Sequence, residues 1–144
     1  MEKTPAELTQ DALDRCRIAG LRRTKALEDI LQALVEAAKP MTLAGLATAL
    51  EGRCDKATVY RLLIRLEEHS VIRRLGFHDR SAHYTMRYSD RHDDYLICTG
   101  CGSVESLDIS CPVETLEREI SAGSGFTNLY HELQFYGVCP ACTR

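Results

Sequence analysis

Two Cys-x-x-Cys pairs, Cys98/Cys101 and Cys139/Cys142, are the residues of this chain best suited to chemistry. A two-residue gap puts both sulfurs of a pair on one metal ion, and two such pairs supply the four thiolates of a tetrahedral structural zinc site. Each pair ends a run with strand character, YLIC from Tyr95 and LQFYGVC from Leu133. Thr99, Gly100, Pro140 and Ala141 fill the gaps, so each backbone can curl tightly and aim N–H groups at sulfur. The 37 residues between Cys101 and Cys139 must fold so that the pairs meet, which makes the site one that closes a domain. A single Cys-x-x-Cys also serves redox chemistry or a disulfide. Two of them flanking one compact segment favour zinc.

The other cysteines argue for a compartment. The count of seven is odd, the chain opens MEKTPAEL with no apolar secretory run, and no stretch approaches the length of a membrane span. These features predict a cytoplasmic protein with no membrane partner. Cys16, Cys54 and Cys111, the last just before Pro112 at a predicted helix start, read as small structural residues. Residues 1–89 carry 15 Lys and Arg against 12 Asp and Glu, whereas residues 90–144 carry 3 against 9. A basic first half and an acidic second half predict a polyanion partner for the first and cation binding for the second. The predicted division is 1–88 and 89–144.

The first half has the periodicity of helices. Thr4-Pro5-Ala6-Glu7 is a capping box with proline at the first helical position, and its helix runs to about Gly20. A second helix starts near Thr24, buries Leu27, Ile30, Leu31, Leu34 and Ala38, and stops at Pro40. Thr42 caps a third, with Leu43, Leu46, Ala47 and Leu50 inward, and Asp55 caps a fourth, with Val59, Leu62, Leu63 and Leu66 inward. Two alternating runs follow, from Val71 and from Ser81, joined at His78-Asp79-Arg80 as a hairpin. Helices two to four with a two-stranded wing predict a winged helix-turn-helix within an α+β protein. The fourth helix then presents Lys56, Thr58, Tyr60, Arg61 and Arg65 away from the core. Arginine reaches guanine edges and phosphates, while threonine methyls and tyrosine rings pack on thymine methyl groups, so this face suits a DNA major groove.

Ala57-Thr58-Val59-Tyr60-Arg61, the run His92-Asp93-Asp94-Tyr95-Leu96-Ile97-Cys98-x-x-Cys101-Gly102, and His131 with Tyr136-Gly137-Val138-Cys139-x-x-Cys142 together resemble the ferric uptake regulator family of metal-responsive repressors. The likeness runs from about Gly20 to Cys142. It implies an N-terminal winged-helix DNA-binding domain, a hinge, and a small α/β dimerisation domain holding structural zinc and one or two regulatory metal sites. It also implies a homodimer on an inverted-repeat operator in double-stranded DNA.

Carried over residue by residue, one regulatory site of the family matches fully: His92, Asp94, Glu114 in the first turn of the helix opened by Pro112, and His131 on a later strand. Such a set suits Zn2+, Fe2+ or Mn2+. The hinge site departs from the family pattern. Its usual histidine falls near Pro40, its wing carboxylate at Thr85, and its two histidines at Asp93 and Tyr95. His83 and His78, with Asp93, are the available substitutes, and each histidine also reads as an exposed surface residue. The family's arginine in the second helix falls at Leu27, while Arg22 keeps the basic residue that in relatives reaches toward the minor groove. The resemblance therefore implies a metal-responsive regulator, with an iron-dependent peroxide sensor of the same fold as the alternative. A zinc-dependent enzyme is the remote reading, because a four-thiolate site leaves no open position for substrate.

Overall fold

The computed structural model describes residues 2–76, 82–88 and 93–143. The chain divides into two compact units, Met1–Asp90 and Arg91–Arg144. The first carries α1 (Pro5–Ile18), α2 (Lys25–Ala37), α3 (Leu43–Ala49) and α4 (Lys56–Glu68). Each helix starts where a short polar side chain covers a free N–H group: Thr4, Thr24, Thr42 and Asp55 accept from Glu7, Leu27, Gly45 and Thr58. Such a cap contributes about 1 kcal/mol. Thr4 and Glu7 complete the expected reciprocal box. The end of α2 comes slightly before Pro40, with Ala38 left-handed at φ 52°, and the proline ring disfavours helical backbone at Lys39, so the helix does not resume.

Packing follows the helical spacing. Leu27, Ile30, Leu31 and Leu34 of α2, Leu46 of α3, and Val59, Leu63 and Leu66 of α4 share one buried cluster with Val71 and Ile72. Each such side chain contributes about 1.5–3 kcal/mol by leaving water. Of the residues expected in this core, Leu43, Ala47 and Leu62 are half-buried and Ala38, past the end of α2, is exposed. The start of α4 is also tied by charge: Asp29, buried on α2, meets Lys25 at 3.2 Å and Arg53, in the loop before α4, at 3.7 Å. At its other end, Arg74 donates from Nε to Glu67 at 3.2 Å and links the wing to α4.

The wing strands are β2 (Ile72–Leu75) and β3 (His83–Met86), antiparallel with Ile72 opposite Met86. A third strand, β1 (Met41–Thr42), pairs with the other edge of β3, so the order is β1-β3-β2 rather than a two-stranded hairpin. Two residues after a proline are too few to show alternation, and Thr42 doubles as the cap of α3. The predicted turn at His78, Asp79 and Arg80 lies outside the described residues.

The second unit holds β4 (Asp94–Cys98), β5 (Val104–Leu107), α5 (Glu114–Ser124) and β6 (Gln134–Gly137). Strand β4 is central, antiparallel to β5 and parallel to β6. The register fixes what each end of the sheet can collect. Cys98 stands opposite Gly137, which leads to Cys139, so the two cysteine pairs share one end. At the other end Asp94 is opposite Leu107, four residues before Cys111, and the Tyr95 N–H bonds to the Leu133 carbonyl, two residues after His131. Apolar burial here is thin. Tyr95, Ile97 and Cys98 are buried, but no residue of α5 is. Units this small rarely draw more than about 3–5 kcal/mol from a core alone, so this one needs further ties. Among the described residues no helix is long and apolar enough to cross a membrane.

Candidate metal centre and nucleic-acid face

Strands β4 and β6 bring Cys98, Cys101, Cys139 and Cys142 together with all four sulfurs within 4.8 Å of one another. The turn after β4 is closed by the Gly102 N–H on the Cys98 carbonyl at 2.9 Å, with Gly102 at φ +78°, a backbone state that favours glycine. A Cβ at Gly100 would stand 3.1 Å from the Cys142 sulfur. A side chain there would make the second pair give way by a few tenths of an ångström. Sulfurs held at about 2.3 Å from a tetrahedral zinc ion lie about 3.8 Å apart, and Cys101 Sγ is 3.9 Å from Cys139 Sγ. The donor set and its spacing fit zinc.

Electrostatics within the cluster point the same way. Backbone N–H groups of Cys101 (3.4 Å), Cys139 (3.3 Å) and Gly100 (3.3 Å) converge on the Cys98 sulfur and hold its thiol down to about 6. Cys101, 3.3 Å from Ser103 Oγ, is lowered too. Cys142, sharing its proton with Cys139, Cys98 and Cys101, is pushed up to about 12. Four thiols this close cannot all ionise against one another, and a divalent cation is what lets them do so. The folded Cys98 thiol lies below its ordinary value of 9.0. Its contribution is therefore complete above that value and is lost as pH falls through about 6. Zinc affinity, measured against a competing chelator, should fall with decreasing pH and fall more steeply below about pH 6, where Cys98 also takes up a proton.

At the other end of the sheet, Asp94 is buried at the start of β4 and Asp93 beside it is exposed. His92 and His78 lie outside the described residues. His131, expected on a strand, sits three residues before β6. Glu114 is exposed at the first position of α5. The carboxylate that reaches His131 is Glu117, whose Oε2 meets Nδ1, while Cys111 Sγ stands 3.0 Å from Nε2. From the sequence Cys111 reads as a small structural residue, and Glu117 is not singled out. A signal was there for Glu117: it follows Glu114 by three residues, the spacing of one helix face. His83 lies on β3 in the first unit, half-buried, two residues before buried Thr85.

Helix α4 buries Val59, Leu63 and Leu66 and leaves Lys56, Tyr60, Arg61 and Arg65 exposed. Thr58 is half-buried, and its hydroxyl accepts from Arg61 at 3.2 Å, so it orients the guanidinium beside it. Arg22 is exposed in the turn between α1 and α2.

Comparison with known proteins agrees with this layout. The chain is similar to the peroxide operon regulator of Bacillus subtilis (strain 168), 30% identical over 139 residues that cover 94% of this chain and 93% of that protein. Its fold is similar to that of the ferric uptake regulator from Pseudomonas aeruginosa solved with manganese, at 27% identity and a TM-score of 0.69 over 90% of this chain and 98% of that one. A zinc uptake regulator complexed with zinc and DNA shares the fold at 22% identity and a TM-score of 0.59, covering 99% of this chain and 97% of that one. Residues 18–136 match the description "Ferric uptake regulator family", and with the capped helices, the wing and the four-cysteine cluster this places the chain in that family.

Proposed function

We propose that this chain is a metal-responsive transcriptional repressor that binds inverted-repeat double-stranded DNA as a homodimer, and that it is not an enzyme. The observation that carries the reading is the exposed Lys56, Tyr60, Arg61 and Arg65 face of α4, held over a buried face, in one chain with a four-thiol cluster. Residues 1–88 bind DNA; residues 89–144 hold metal and dimerise. Support for the homodimer comes from the second unit, where Leu116 and Ile120 of α5 are exposed at i, i+4 spacing near exposed Ile109, Phe126, Tyr130 and Phe135 in sequence. That much exposed apolar surface on so small a unit supports association with a second copy.

Structural zinc belongs at the four cysteines, and the regulatory site includes Asp94 and His131, with His92 and Glu114 as its family partners. Filling that site would join the segment leading into β4 to α5 and β6, and so bias the chain toward the arrangement in which two α4 helices reach successive major grooves. The bias can be no larger than the difference in metal affinity between the two arrangements. A peroxide-sensing repressor is the second reading, favoured by the likeness to the peroxide operon regulator. The test is a pair of variants. His131→Ala should weaken metal-dependent DNA binding at least tenfold, His83→Ala should change it little, and both should keep one zinc per chain. The opposite ranking, in a binding titration with metal restored, would assign sensing to a hinge site rebuilt from His83 and Asp93.

A further inference from the structure

The end of the second sheet away from the four cysteines holds three side chains in a line. Cys111 Sγ is 3.0 Å from His131 Nε2, and His131 Nδ1 meets Glu117 Oε2 on the far side of the ring. They come from three places, the turn after β5, the first turn of α5 and the segment before β6, and all three are half-buried. A carboxylate on Nδ1 assigns the proton of a neutral imidazole to that nitrogen and turns the Nε2 lone pair forward. Proteins orient histidine metal ligands in this way, with the carboxylate behind the ring and the metal in front of it. What stands in front of this ring is sulfur.

We propose that Cys111 and His131 Nε2 are ligands of one metal site, with Glu117 as the carboxylate that orients the histidine, and that the thiolate makes this a zinc site. A zinc ion between the two atoms would part them to about 3.6 Å, a small opening from the present contact. Asp94, opposite Leu107 at the same end of the sheet, is a further oxygen donor there. The charge and donor set explain the preference. Imidazole and carboxylate serve zinc, iron and manganese alike, whereas a thiolate is a soft ligand that favours zinc and disfavours manganese. The inference rests on the regulator reading only in giving the site a role; the site itself stands on the three side chains. The same line of thiol, imidazole and carboxylate also describes an activated cysteine, so the test must separate the two uses.

Full-length protein holding one zinc per chain at the four cysteines is titrated anaerobically with cobalt(II), and zinc content is followed in the same samples. A second, cobalt-filled site should show sulfur-to-cobalt charge-transfer absorption with the intensity of one thiolate. Cys111→Ser should lose that band and lower the zinc-over-manganese preference at least tenfold. Glu117→Gln should keep the band but weaken cobalt binding about 10–100-fold, which reads the site even if the serine variant folds poorly. A second cobalt bound without a sulfur band, or Glu117→Gln with unchanged affinity, would overturn the proposal. So would rapid peroxide oxidation of Cys111 with no second metal taken up. A sulfur band with no effect of metal on DNA binding would leave the site standing and remove the regulator reading, and metal-dependent DNA binding unchanged in Cys111→Ser would do the reverse.

Discussion

Replacing Cys98 by serine is expected to remove one zinc per chain and to unfold or dissociate the second unit. Structural zinc contributes about 10–16 kcal/mol in small zinc peptides, against a total stability of about 5–15 kcal/mol for an ordinary domain. Cys98 is the most committed of the four sulfurs. It is buried, accepts three backbone N–H groups and ends the central strand, so its loss removes the Cys139 N–H bond between the strand ends as well as a metal ligand. With no buried residue in α5, little apolar packing is left to hold the unit. The first unit keeps its own cluster and should stay folded. Circular dichroism would show partial loss of structure, and elemental analysis would show the missing zinc. A Cys98→Ser protein with its zinc and its compact second unit intact would refute the four-cysteine assignment.

Arg61→Ala and Tyr60→Ala are expected to abolish specific DNA binding without altering zinc content or stability. Both side chains are exposed on α4 opposite Val59, Leu63 and Leu66, so truncation leaves the core untouched. A lost base contact costs about 1–3 kcal/mol, and a symmetric dimer loses it at each half-site, so affinity should fall about 30-fold to beyond 10,000-fold. Arg61 is held by the Thr58 hydroxyl at 3.2 Å, and Thr58→Ala should therefore have a smaller effect in the same direction. Titration of duplex DNA at two salt concentrations separates base contacts from phosphate contacts. Unchanged specific affinity in both variants would remove α4 from its assigned role.

Local signals carried most of the fold. The N-caps Thr4, Thr42 and Asp55 were legible because a cap depends on residues three apart, Thr24 was legible as a helix start, and most of the core of α2 and α4 followed from helical spacing. The cysteine pairs were legible because metal chelation fixes their spacing. What escaped the sequence lies in contacts between distant segments. Strand β1 exists only because Met41 and Thr42 meet Tyr84 and His83, and two residues hold no period of their own. Glu117 and Cys111 find His131 across 14 and 20 residues of chain. Family register pointed to Glu114, one helical turn earlier, but a register names positions and cannot say which carboxylate of a helix face turns inward. Asp29 was likewise hidden, since only the fold brings Arg53 to it.

Selection of DNA from a random-sequence duplex pool, with protein holding one zinc per chain and with or without a second equivalent of zinc, tests the central claim most directly. An inverted repeat should be enriched only when the second metal is present, and the enriched duplex should bind two chains. Enrichment of the same sequence without added metal, or no enrichment under either condition, would contradict it.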